Sequence, residues 1–145
     1  MTPLQMALVA AGIANNGTIM APHLVNRVTN ASGGTVVKIH PQVWKHATSP
    51  ETAAAINVMM QGVVASGTGI SAQIPGVKVA GKTGTAETNQ DKIYTAWFIF
   101  FAPADNPTVA GAVAVEHQLN GFGGAVAAPI AKQLMQALLP PASKS

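Results

Sequence analysis

One lysine, two threonines and two glycines lie together in the segment Val79-Ala80-Gly81-Lys82-Thr83-Gly84-Thr85-Ala86-Glu87. Glycine is unfavourable inside a strand unless another group must approach the backbone closely. A strand with a bared backbone, one cation and the hydroxyls of Thr83 and Thr85 is equipped to hold an acyl group and a carboxylate. Taken alone, the three residues Lys-Thr-Gly favour an ordinary edge strand with a surface lysine, because so short a pattern occurs often by chance.

A phosphate-binding loop is the first alternative, since residues 76–83 match Gly-x-x-x-x-Gly-Lys-Thr literally. The residues between the two glycines are β-prone, however, and Gly84-Thr85-Ala86 leads into another strand rather than a helix. Without a helix N-terminus the site lacks its usual anion-binding donors. We therefore reject this interpretation.

The elements around this segment follow from caps, periodicity and turns. Thr2-Pro3 and Ser49-Pro50 each combine an N-cap residue with proline at the first helical position. The predicted order is a helix ending near Asn15-Asn16-Gly17, a hairpin of 24–29 and 35–40, a helix ending near Gly67-Thr68-Gly69, strands at 77–88, 95–102 and 109–116, and a helix from about 124 to 139.

This order predicts an α+β fold in which helices pack on an antiparallel sheet. The nearly continuous apolar runs 97–101 and 110–115 indicate central strands covered on both faces. Met59 and Met60 are expected to fill the core, and Ile130, Leu134 and Leu138 share one face of the last helix. We expect one domain over residues 1–139 and a flexible tail over 140–145.

The composition excludes several functions. Hydrophobic residues make up 48% of the chain and charged residues 9%, which excludes a disordered segment and is low for a free-standing domain. The net charge of +3 is spread thinly, so no nucleic-acid partner is expected. Cysteine is absent and the four histidines lack close spacing, so neither a metal nor a cofactor is expected. No apolar run is long enough to span a bilayer.

Several further segments of the chain make the interpretation of the Lys-Thr-Gly segment more specific. The chain resembles the C-terminal part of the penicillin-binding protein transpeptidase domain, in the class B-like branch of that family. The segments that carry the resemblance are Thr2-Pro3-Leu4-Gln5-Met6-Ala7, Ala14-Asn15-Asn16-Gly17, Gly67-Thr68-Gly69, Lys82-Thr83-Gly84-Thr85-Ala86-Glu87, Ala96-Trp97-Phe98, Phe101-Ala102-Pro103, Gly123-Gly124 and Ala128-Pro129.

The resemblance implies a serine enzyme that attacks a peptidoglycan stem peptide, releases D-alanine and passes the acyl group to an amine. It implies that penicillins and other β-lactams form a stable acyl-enzyme on the same serine. Lys82 would supply positive charge, while Thr83, Gly84 and Thr85 would bind the substrate. The Thr85 N–H would form half of the oxyanion hole. The substrate, and hence the domain, would lie on the extracytoplasmic face of the bacterial membrane, with an anchor outside this chain.

The chain departs from the family at the nucleophile. The Ser-x-x-Lys and Ser-x-Asn boxes of this family are both absent. Ser32, Ser49, Ser66 and Ser71 have no lysine three residues later. We therefore expect that the chain does not acylate alone and that it requires an upstream N-terminal part of the same protein. We also expect the isolated chain to self-associate through the apolar faces that this part would cover.

Two other interpretations remain open from the sequence. A serine β-lactamase or D,D-carboxypeptidase would share the fold and the Lys-Thr-Gly box. A non-catalytic binding module, or a penicillin sensor, would retain the strand only for recognition.

Overall fold

A computed structural model describes residues 1–88 and 92–140. Its helices are α1 (Pro3–Ala14), α2 (Pro50–Ala65) and α3 (Gly123–Leu138), with a 3-10 turn at Ile70–Ala72. Its strands are β1 (Thr18–Met20), β2 (Arg27–Thr29), β3 (Thr35–Lys38), β4 (Val43–His46), β5 (Ala80–Glu87), β6 (Ile93–Ala102) and β7 (Val109–Leu119). Within the described ranges, no helix has the length and apolarity needed to cross a membrane.

Side-chain caps start the first two helices, as predicted. The Thr2 hydroxyl accepts from the Gln5 N–H at 3.2 Å, and the Gln5 side chain accepts from the Thr2 N–H at 2.8 Å. This reciprocal pair satisfies two backbone donors that a helix start otherwise leaves free. At the start of α2, the Ser49 hydroxyl accepts from the Thr52 N–H at 3.2 Å.

The principal sheet is antiparallel with the order β5-β6-β7. The register of β5 and β6 runs without a break from Ala80 opposite Phe101 to Glu87 opposite Tyr94. Helices pack on both faces of this sheet, which confirms the predicted α+β class. The three strands also confirm the predicted order, although β7 extends to Leu119.

Alternate residues of β6 face two separate cores. Phe98 and Phe100 pack with Ala127, Ala131 and Met135 of α3 on one face. Ile99 and Phe101 pack with Ala10 of α1 and Met60 of α2 on the other face. The central position predicted for the first apolar run is therefore confirmed. The second run is covered on both faces as predicted, with Val113 and Val115 in the α3 core and Ala110 and Ala112 against the other core. Its predicted central position is wrong, since β7 lies at the sheet edge.

One prediction about a helix face is corrected. Met60 is buried, but Met59 is 62% exposed, so only one of the two methionines fills the core. Ile130, Leu134 and Leu138 share a face of α3, and that face is exposed. The buried face of α3 is instead mostly alanine, because small side chains let the helix axis approach the sheet closely.

Residues 18–46 form an antiparallel arm outside the principal sheet. β1 pairs with β4 at its base, and β2 pairs with β3 at its tip. The predicted hairpin is thus confirmed with shorter strands, while the pairing of β1 with β4 was not predicted. Of the predicted tail, Pro140 follows α3 without regular structure and residues 141–145 lie outside the described part.

Candidate functional site

The segment 80–87 is a strand with one free edge. β5 pairs with β6 along its whole length, and no described strand pairs with its other side. The backbone groups of that outer edge are therefore available to an incoming extended peptide. The phosphate-loop alternative is excluded here, because residues 80–87 form a strand and no helix follows them.

Side chains of β5 alternate between the two faces of the sheet. Lys82 lines an apolar hollow of about 350 Å3 on the side of α1 and α2, together with Ile13, Ile56, Met59, Met60, Val63 and Ile99. Its ammonium donates a hydrogen bond to the Thr83 carbonyl at 2.7 Å. The lysine charge therefore remains beside the strand backbone.

Thr83 and Thr85 line a second space, on the side of α3. This cleft has a volume of about 480 Å3, and its lining comprises Thr83, Thr85, Gly67, Thr68, Ile70, Ser71, Phe122, Gly123, Gly124 and Ala125. Its walls are the edge strand, the loop after α2 and the start of α3. The two threonine hydroxyls thus lie on one side of the strand, while Lys82 lies on the other.

Thr68 orients the hydroxyl of Thr83. Their Oγ1 atoms are 2.7 Å apart, which is hydrogen-bond distance for two hydroxyls. Each hydroxyl keeps further capacity, because a hydroxyl has one donor and two acceptor positions. Thr83 can therefore bind Thr68 and a ligand at the same time.

The start of α3 lies directly against the strand backbone. A Cβ built on Gly123 would collide with the Trp97 carbonyl and would lie 2.6 Å from the Gly84 carbonyl oxygen. A Cβ on Gly124 would collide with the Thr68 carbonyl. Because these two positions carry no side chain, the start of α3 contacts both the loop and the strand. These contacts determine the shape of the cleft.

Sequence reasoning missed two residues of this cleft. In the sequence, Thr68 marks only the end of a helix, and no local pattern links it to Thr83, which lies 15 residues later. Phe122, which is 60% exposed and stacks on Tyr94 at a centroid distance of 6.2 Å, carried no sequence signal. Ser71 also lines the cleft, but its hydroxyl has no hydrogen-bond partner among the described residues.

The comparisons with known proteins agree with this geometry. The family model described as penicillin binding protein transpeptidase domain matches residues 1–136. The peptidoglycan D,D-transpeptidase PbpA of Mycolicibacterium smegmatis is 42% identical, with 96% of this chain and 29% of that protein aligned. Stage V sporulation protein D of Bacillus subtilis is 37% identical, with 96% and 23% aligned.

Among solved structures, the ceftriaxone acyl-enzyme complex of penicillin-binding protein A from M. tuberculosis superposes with a TM-score of 0.90 at 39% identity. The superposition covers 97% of this chain and 33% of that one. The chain therefore spans less than a third of the length of PbpA, at 29%.

Proposed function

Because the chain belongs to the penicillin-binding protein transpeptidase family, we propose that it provides the substrate-binding edge of a serine-type peptidoglycan D,D-transpeptidase. The observation that carries the proposal is the free edge of β5, with both threonine hydroxyls in one cleft. Family membership favours this activity over the β-lactamase alternative. The relatives' acyl-enzyme complexes support β-lactams as ligands of the same site.

The substrate would bind as an added strand. An extended stem peptide would pair its backbone with the outer edge of β5, since strand addition satisfies both sets of backbone groups. The hydroxyls of Thr83 and Thr85 would donate to the terminal carboxylate of the peptide. Lys82, on the other side of the strand, would add positive charge that favours this anion.

The strand backbone would stabilise the transition state. Charge develops on the carbonyl oxygen when the acyl group is attacked, and a fixed N–H placed there lowers the barrier. The Thr85 N–H would be one such donor, and the nucleophile's own N–H would be the second. Loss of one oxyanion donor costs about 3–4 kcal/mol of barrier in other enzymes.

The attacking serine would come from outside these residues. Serine in this family is activated by a lysine three positions later, and no serine here has that neighbour. The ammonium of Lys82, the cation of β5, is hydrogen-bonded to the backbone carbonyl of Thr83. The chain alone should therefore not acylate, and the complete protein should act on the extracytoplasmic side of the membrane.

A fluorescent penicillin tests the proposal. We expect no covalent label on the 145-residue chain and a label on the complete protein that contains it. Thr85→Val in the complete protein should slow labelling about ten- to a hundredfold, because one hydrogen bond to a carboxylate is worth about 1.5–3 kcal/mol. Thr35→Val on the arm is the matched control and should label at the normal rate.

Two results would contradict the proposed function. A stable label on the isolated chain would show that the nucleophile lies within these residues. A complete protein that takes the label but cross-links no stem peptides would indicate a penicillin-binding module without transpeptidase activity.

A further inference from the structure

The tip of the arm projects from the protein with no core of its own. Every residue of β2 and β3 is exposed, including Val28 at 47%, Val36 at 63% and Val37 at 46%. Among the described residues, each of these strands packs extensively only against the other. An isolated two-stranded hairpin is marginally stable in water, whereas a third strand makes such a sheet more stable.

Positive charge is concentrated on this arm. The first acidic residue of the chain is Glu51, so residues 18–46 contain none, while they include Arg27, Lys38 and Lys45. Arg27 and Lys38 lie directly opposite each other in the β2–β3 register. Like charges in that arrangement destabilise a strand pair.

No described residue compensates this pair. Neither side chain forms an ion pair or a hydrogen bond within residues 1–88 and 92–140, where the ion pair that does form joins Lys78 to Asp105 at 3.6 Å. Two uncompensated cations on a hairpin are stabilised when an anionic group binds between them. The arm therefore carries a charge arrangement that a partner would complete.

We propose that β2 and β3 form a docking site for an acidic, extended segment of another protein, which adds to the hairpin as a third strand. The free strand edges would supply backbone hydrogen bonds, and the Arg27–Lys38 pair would select glutamate or aspartate. Valines of the hairpin would pack against alternate apolar side chains of the incoming strand.

The strand edges favour a protein strand over an anionic membrane. β2 and β3 form a two-stranded sheet, so no described strand pairs with either outer edge. Insertion into lipid would leave these backbone groups unsatisfied, whereas an added strand pairs with them. The register places Val28 opposite Val37 on one face and Arg27 opposite Lys38 on the other, so a strand of alternating acidic and apolar residues matches both faces.

Fluorescence anisotropy with a labelled eight-residue peptide of alternating glutamate and valine tests the site on the full chain. We expect binding that weakens about threefold for each of Arg27→Gln and Lys38→Gln, and about tenfold for the double variant, since each partly exposed ion pair contributes little. The control variants Lys92→Gln and Lys132→Gln remove the same charge elsewhere and should bind normally. Circular dichroism checks that each variant is folded.

A second peptide, in which the two central valines are replaced by proline, separates strand addition from simple attraction of charges. Proline removes backbone donors, so this peptide should not bind. Equal binding of both peptides, no binding of either, or equal loss in the control variants would overturn the proposal. So would phosphatidylglycerol vesicles that bind the chain through Arg27 and Lys38 more tightly than the peptide does. None of these residues lines the cleft, so the outcome is independent of the catalytic proposal.

Discussion

The Thr83 hydroxyl has a partner that lies 15 residues earlier in the chain, on the loop after α2. Thr68→Val keeps the shape of that partner and removes its oxygen. We expect β-lactam acylation of the complete protein to slow about fivefold, because a neutral hydrogen bond contributes about 1 kcal/mol and Thr83 would lose its fixed orientation. The second-order rate of labelling by a fluorescent penicillin measures the effect.

Thr68→Ser is the control for this positioning role. Serine retains the hydroxyl, so acylation should recover most of its rate while the side chain loses one methyl group. If Thr68→Val labels at the normal rate while Thr83→Val does not, the hydroxyl of Thr83 needs no partner. The 2.7 Å contact would then be only structural.

At the scale of elements, the start of α3 sets the width of the cleft. Gly123→Ala would drive a methyl group into the Trp97 carbonyl and against Gly84, and the helix start would have to move. We expect a loss of about 1–3 kcal/mol in the free energy of unfolding, which is typical of overpacking. Denaturant titration of the purified chain measures it.

Gly62→Ala is the matched change in α2. A Cβ at Gly62 meets nothing within 4 Å, and the residue lies inside a helix. Alanine should therefore raise stability by about 0.5–1 kcal/mol. Equal destabilisation by both variants would show that the close approach of Gly123 to Gly84 does not account for the loss of stability.

Local sequence patterns predicted the helices and strands well. Contacts between distant segments account for the features that these patterns missed. The caps at Thr2 and Ser49 are contained within four residues, so the helix starts could be predicted. Which face of α3 is buried depends on the sheet, and alanine rather than leucine permits the close approach. The free edge of β5 and the Thr68 contact depend on pairing between distant segments, which no local pattern reports.

The roles of Lys82, Thr83 and Thr85 depend on more than the fold. Alternation along β5 indicates that the lysine and the threonines face opposite ways, and the structure shows this separation. Nothing in the residues alone says that a stem peptide binds between them. That step comes from family membership and stays a prediction until labelling is measured.

At the scale of the whole molecule, the hollow beside Lys82 is an exposed apolar surface next to β5. It is lined mainly by Ile13, Ile56, Met59 and Val63, and Met59 is 62% exposed. An apolar surface of this kind favours association, because covering it removes apolar area from water. We expect the isolated chain to self-associate through this hollow, with an apparent mass in sedimentation velocity that rises with concentration.

Met59→Glu should shift the chain towards the monomer, since association would bury a charge in an apolar contact. Leu24→Glu is the matched control, because it adds the same charge at a fully exposed position of the arm. If Leu24→Glu disperses the chain equally well, net charge rather than the hollow governs association. If neither variant changes the mass, the contact lies on another surface. In the complete protein the wild-type hollow should be covered, so Met59→Glu should there lower stability and slow β-lactam acylation, while Leu24→Glu should do neither.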